Sequence, residues 1–268
     1  MEALGYVASV LMGVSLGMIG GGGSILTVPI LVYLFGKDPM VATAYSLFIV
    51  GLTALVGALQ AGQKGEIDIK RGLIFAGPSF LGVYLVRAFV VPALPQEIFH
   101  LGSLVVTKAM LTMLVFAVLM VAASFSMIRS KKSVAPASAA DGHLDAKKLA
   151  IIGLEGLVVG GVTGFVGAGG GFLIIPALVL LTGMSMKIAV GTSLMIIAIK
   201  SLFGFLGDVQ KQAGIEWLFL VTISAISVAG LFVGAKLKSK VKDEVLKKGF
   251  GYFVLIMGLI ILIDNLRK

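Results

Sequence analysis

Apolar residues run along most of this chain in long blocks, and polar residues are confined to the gaps between them. Ten apolar segments stand out, at 3–19, 24–36, 39–60, 71–92, 101–128, 148–166, 171–183, 186–207, 215–235 and 249–264. A membrane-spanning helix needs roughly 20 such residues. The second and seventh segments fall well short of that, and each follows a cluster of glycines. The pattern predicts an all-α polytopic membrane protein. The longest polar stretch, which opens RSKKSVAPASAADGHLDAK, divides the chain nearly in half. It gives a first transmembrane repeat at 1–128, a cytoplasmic linker at 129–147 and a second transmembrane repeat at 148–268.

Composition agrees with the pattern. Charged residues make up 13% and hydrophobic ones 58%, against about 25% charged in a soluble domain. Cysteine is absent, which removes disulfides and thiolate metal sites, and the two histidines, His100 and His143, have no partner at metal-ligand spacing. No metal and no cofactor is expected. A net charge of +9 does not point to nucleic acid here, because the lysines cluster in short loops where the positive-inside rule explains them. The first residues, MEALGYVASVLMG, lack a basic lead and a cleavage site, so they read as a retained first helix.

The halves are copies of one another. A shift of 147 residues brings Gly17, Gly20, Gly22, Gly23, Pro29, Gly36, Ala42, Ser46 and Gly57 onto Gly164, Gly167, Gly169, Gly170, Pro176, Gly183, Ala189, Ser193 and Gly204. Without a gap, 17 of the 43 positions from 17 to 59 are identical. Duplication of this kind is common among transporters. Loop charge sets the orientation. Arg129, Lys131, Lys132, Lys147 and Lys148 in the linker, and the lysines from Lys236 to Lys248, belong in the cytoplasm. An even number of crossings must then separate them, so each half crosses an odd number of times and the two are inverted. The loop 63–71 falls inside, 91–100 and 207–216 fall outside, and both termini fall outside.

Upstream of each short segment, small residues recur every four positions: Gly5, Ser9, Gly13, Gly17 and Gly21, then Gly156, Gly160, Gly164 and Ala168. On a helix they line one face and allow close approach of a neighbour. The breaks themselves, GMIGGGGSILTVPI and GFVGAGGGFLIIPA, ask for more. Proline suits the first position of a helix. That predicts short helices starting at Pro29 and Pro176, with irregular backbone over 20–28 and 167–175. Such backbone is tolerated in hydrocarbon only where protein or a polar cavity covers it. Bare glycine N–H groups beside a helix start make an anion-binding end. Two inverted copies would bring two such ends together near the midplane. Gly20, Gly21, Gly22, Gly23, Gly169, Gly170 and Gly171 are the candidate donors. Neither break matches a nucleotide-binding glycine loop.

A few polar groups lie inside the apolar segments. Ser24, Ser46, Thr192 and Ser193 offer hydroxyls, although a serine in a membrane helix also bonds its own preceding turn. Lys200 shares a helix face with Ser193 about two turns away. Either it neutralises an anion held between the breaks or it snorkels to an interface. Glu155 and Lys108 are placed to form a structural ion pair, Arg87 to snorkel, and Gln60 and Asp208 to sit at segment ends, where they gate or are solvated.

The doubled motif GMIGGGGSILTVPILVYLFG and GFVGAGGGFLIIPALVLLTG, followed by ATAYSL and AVGTSL, resembles the TauE/SafE family of sulfite and organosulfonate transporters over nearly the whole chain. The resemblance implies a multi-pass carrier of the prokaryotic inner membrane, not an enzyme. Its substrate would be a sulfur-containing anion such as sulfite, thiosulfate or a sulfonate, and its driving force an ion gradient, of protons or sodium. Beyond the lipid bilayer, a second copy of the chain is the one protein partner considered. An anion channel using the same helix ends is the alternative. Ala44-Tyr45-Ser46 departs from Gly191-Thr192-Ser193, which weakens the case for ligand contact by the first-half hydroxyls.

Overall fold

A computed structural model of the chain describes residues 2–90, 93–95, 97–101, 104–129, 146–166, 171–180, 183–209, 214–238 and 240–266. The described residues form ten α-helices: α1 Glu2–Ile19, α2 Ser24–Pro29, α3 Pro39–Gln63, α4 Ile69–Leu85, α5 Lys108–Arg129, α6 Ala146–Val166, α7 Gly171–Leu180, α8 Met186–Val209, α9 Trp217–Lys238 and α10 Asp243–Leu266. Each falls on one of the ten apolar segments. An antiparallel hairpin of β1 Glu97–Leu101 and β2 Leu104–Thr107 precedes α5. The fifth segment therefore becomes helical at Lys108 and not at 101, because its first residues, rich in β-branched valine, pair as strands.

The breaks also differ in detail from the expectation. A 3-10 turn, Gly20–Gly23, leads directly into α2 at Ser24, which puts Pro29 inside a helix and not at its start. Pro176 likewise lies inside α7. The irregular stretch of the first half is thus four residues, not nine. Lacking an N–H, Pro29 cannot bond the carbonyl four residues back. The helix then widens into a π-helical turn over Ile30–Leu34, which resets the bonding pattern beyond the missing donor.

Alpha2 folds back along α1. Gly23 packs against Met12 and Leu16, the Thr27 hydroxyl meets Met12 Sδ at 2.8 Å, and Phe35 lies against Gly5 near the start of α1. Together α1 and α2 make a re-entrant hairpin whose two outer ends share one side of the molecule.

The small-residue ladders do the packing expected of them, across the halves. A β-carbon at Gly13 would overlap the carbonyl of Ser227, and one at Gly17 the carbonyl of Leu231, so α1 and α9 run parallel in close contact. Gly160 meets Ser79 and Gly164 meets Val83 in the same way, joining α6 to α4. Gly230 rests on Val10 and Val14, and Gly82 on Leu157 and Gly161. Each contact in one pair has its counterpart in the other once the shift lengthens from 147 to 148 residues in α4 and α9, so the molecule has an internal two-fold.

Its axis passes between α3 and α8. Leu47 meets Gly204, Leu202 meets Gly51, and Leu194 meets Gly57. Contacts that rise along one helix while falling along the other define an antiparallel pair. Since α3 and α8 are equivalent copies, the two repeats are inverted. Met12, Leu16, Ile25, Leu31, Ile49, Ile174 and Ile175 are fully buried at the centre, while Leu154, Phe203, Leu218 and Ile256 are exposed on the outside. Leu218 is 81% exposed, which suits hydrocarbon and not water.

The two ends of the molecule are chemically distinct. At one, Lys37 pairs with Glu216 and rings of Tyr6, Phe35, Tyr45 and Phe219 stack edge to face or tilted. At the other, Lys238 pairs with Glu66 at 2.8 Å, close to Lys64 and Lys187. Loops assigned to one side by charge thus lie together. We refer to the aromatic end and the lysine-rich end.

Candidate functional site

The turn out of α1 hinges on Gly20, whose φ of 67° is a region that residues with a β-carbon avoid. A β-carbon there would also lie 2.7 Å from Ser193 Oγ and 3.1 Å from the Val190 carbonyl. The next residue, Gly21, touches Gly171 backbone to backbone. A β-carbon on Gly171 would come 2.6 Å from the Gly21 carbonyl oxygen, and one on Gly21 would overlap the Gly171 carbonyl. Gly171 opens the described part of α7 and Gly21 lies in the turn between α1 and α2, so the main chains of the two repeats meet in the interior. Ile19 ends α1 where the turn begins, so the junction receives the C-terminal end of α1, with its partial negative charge, as well as the positive start of α2.

Gly22 lies within the 3-10 turn and Gly23 packs it against α1. Gly169 and Gly170 lie outside the described residues.

Three of the candidate hydroxyls are engaged with their own helices. Ser24 Oγ donates to the Gly21 carbonyl at 2.6 Å, Ser46 Oγ to that of Thr43 at 2.7 Å, and Ser193 Oγ to that of Val190 at 2.8 Å. All three are buried, and Ser24 and Ser193 lie at the Gly20–Gly23 turn while Ser46 does not contact it among the described residues. Thr192 has a different task. Its Oγ1 accepts the N–H of Asp68 at 3.0 Å, and Asp68 caps the start of α4 through its own carboxylate. In the other half the Tyr45 hydroxyl accepts the N–H of Glu216, just ahead of α9, at 2.9 Å. The substitution of tyrosine for threonine therefore keeps a hydroxyl at the same helix start by a longer reach. Gly191 is needed beside Thr192 because the Glu66 carbonyl occupies the space of its β-carbon.

Lys200 is only 7% exposed, and its ammonium donates to Thr163 Oγ1 at 2.6 Å. Its ammonium is enclosed by protein and does not extend to the molecular surface, as that of a snorkelling lysine would. Thr163 stands in the last turn of α6, four residues before Gly167, which puts a buried positive charge one turn from the second break. Its counterpart Thr53 donates to the Ile49 carbonyl at 2.6 Å. Next to Lys200, Ser201 is fully buried with its Oγ unbonded among the described residues, and so is Glu155 Oε2 on α6. The side chains of Lys108, Arg87 and Asp208 lie outside the described residues, so neither the Glu155–Lys108 pair nor the snorkelling of Arg87 has a structural counterpart here.

At the lysine-rich end a cavity of about 100 Å³ opens between α1, α3, α8 and α9, lined by Gln60, Lys64, Glu66, Lys187 and Lys238. Gln60 was expected at a segment end, and it faces this space. Thr163, Glu66 and Lys238 were not singled out from the sequence. Thr163 stands next to a ladder glycine, which is a usable signal, but Lys238 looks like any lysine of a charged loop.

A helical bundle of inverted repeats, apolar on its outside and with Gly21 and Gly171 of the two repeats abutting in its interior, is the architecture of a membrane transporter. The description "Sulfite exporter TauE/SafE" matches residues 6–261, and the chain belongs to that family. It is 27% identical to a probable membrane transporter protein of Xylella fastidiosa, over 94% of this chain and 91% of that one. Two proteins of Bacillus subtilis are similar: the probable membrane transporter proteins YdhB, at 27% identity over 94% of this chain and 96% of the relative, and YunE, at 26% over 97% and 96%.

Proposed function

We propose that the chain is a secondary carrier of the cytoplasmic membrane for a small sulfur-containing anion: sulfite, thiosulfate or an organosulfonate. The observation that carries this reading is the abutment of Gly21 and Gly171. Packing alone explains the glycine ladders. It does not require both repeats to bring bare glycine main chain to the same interior point, where uncovered N–H groups can bind an anion. Main-chain N–H groups of Gly20–Gly23 and Gly169–Gly171 are the donors in this scheme. Ser193 and Ser24 lie at the turn, Ser46 and Thr192 shape the helices around it, and Lys200 supplies long-range positive charge. Members of the family handle different anions, so the substrate is named by class.

Transport would be driven by a proton or sodium gradient, with the lysine-rich end in the cytoplasm as its charge favours. Counterflow in proteoliposomes tests the reading. Unlabelled sulfite or thiosulfate on one side should accelerate uptake of labelled anion from the other, which an open pore would not do. Absence of trans-stimulation for every anion of the class, in protein that a thermal-shift assay shows to bind them, would reject the carrier mechanism.

A further inference from the structure

The cavity at the lysine-rich end is separate from the glycine junction, yet it adjoins it. Val190 lines the cavity wall and is also the neighbour of Gly20, while Gly17 and Leu194 complete that wall on either side. The space of about 100 Å³ compares with the roughly 10–15 Å³ that one water requires. Several waters or one small oxyanion would fit.

Its charge is unbalanced. Lys238 is 6% exposed and held by Glu66 at 2.8 Å, with the Lys187 carbonyl at 3.4 Å. That pair is neutral as a unit. Lys64 and Lys187 add two more positive charges at the exposed rim, and neither has an acidic partner among the described residues. A cleft with walls of low dielectric focuses such a field and concentrates counter-ions in it.

Under the repeat, Ala58 and Met195 near the cavity correspond to Phe205 and Phe48. Those two rings pack at 5.1 Å, and each lies 6.0 Å from Trp217.

We propose that this cavity is an anion vestibule: a holding site for a small oxyanion at the lysine-rich mouth, from which the anion passes to the Gly20–Gly21 junction. Lys64 and Lys187 attract the anion, and Lys238 exchanges its bond to Glu66 for one to the anion once it is inside. The role in passage rests on the carrier reading above; the binding of anions by the cavity does not.

The absence of cysteine makes the test direct. Ala235→Cys places a single thiol on the cavity wall. An anionic methanethiosulfonate reagent should label it faster than a cationic one by roughly tenfold, and sulfate, which is inert to thiols, should slow labelling. Adding Lys64→Glu and Lys187→Glu should reverse the preference. Equal rates for the two reagents, or no protection by sulfate, would overturn the vestibule. In proteoliposomes, Lys64→Gln with Lys187→Gln should raise KM about threefold or more with kcat unchanged, and Glu66→Gln should lower KM. Selective labelling together with an unchanged KM would overturn the role in passage. If no sulfur anion is transported while sulfate still protects the thiol, the carrier reading fails and the anion site stands.

Discussion

Gly21 and Gly171 touch through their main chains, and neither position has room for a β-carbon. Alanine at either site must push the two main chains apart. Gly21→Ala and Gly171→Ala are expected to abolish anion uptake in protein that still inserts and runs as a single species in detergent. Because the disturbance is local, thermal-shift midpoints of the unliganded variants should fall by a few degrees, while the ligand-induced rise disappears. Uptake at the normal rate by both variants would remove the junction from the mechanism.

The ladder glycines should behave differently. Gly13→Val and Gly160→Val drive a side chain into a neighbouring main-chain carbonyl, which cannot swing aside as a side chain can. Overpacking of this kind costs about 1–3 kcal/mol and more where backbone must move. Loss of folded yield is expected, without a selective change in KM. Since the α1–α9 and α6–α4 contacts are equivalent, the two variants should be damaged to a similar degree.

Tyr45→Phe and Thr192→Val each leave a main-chain N–H at a helix start without its acceptor. Both bonds are part-buried and made to half-exposed or exposed residues, so the cost is that of one ordinary hydrogen bond, about 0.5–1.5 kcal/mol. Both variants should unfold at lower temperature, with transport kinetics near normal in the folded fraction. Thr192→Ser should restore the stability of the second site. A large rise in KM for Thr192→Val at unchanged stability would instead give that hydroxyl to the ligand.

Lys200→Met tests the buried charge. Its ammonium is inside the protein and bonded to Thr163. Replacing the ammonium with an apolar group removes a desolvation penalty on the order of several kcal/mol. The variant is therefore expected to be as stable as the parent or more so, while anion affinity measured by thermal shift falls at least about tenfold. Thr163→Val, which keeps the charge and removes its acceptor, should be the less stable of the two.

Much of the fold was legible because its signals are periodic or duplicated. Apolar run length located all ten helices, and the fourfold spacing of Gly13, Gly17, Gly160 and Gly164 marked the faces that pack. Errors came where a residue has two local solutions. Pro29 could open a helix or sit within one that widens after it, and only its neighbours choose. The valines near 105 could start a helix or pair as a strand. At the site, Gly20, Gly21, Gly171 and Ser193 came together as the duplication implied. Thr192 turned to a helix cap, since the residue it meets, Asp68, is far away in sequence.

The sequence by itself determined the membrane class, the inverted duplication and the break after α1, because these follow from hydrophobic length, repeated spacing and loop charge. Which helices pair, where Lys200 ends, and that one mouth is lined by lysines while the other is packed with rings were decided only in three dimensions. Those features depend on contacts between residues distant along the chain, whose partners no local pattern specifies.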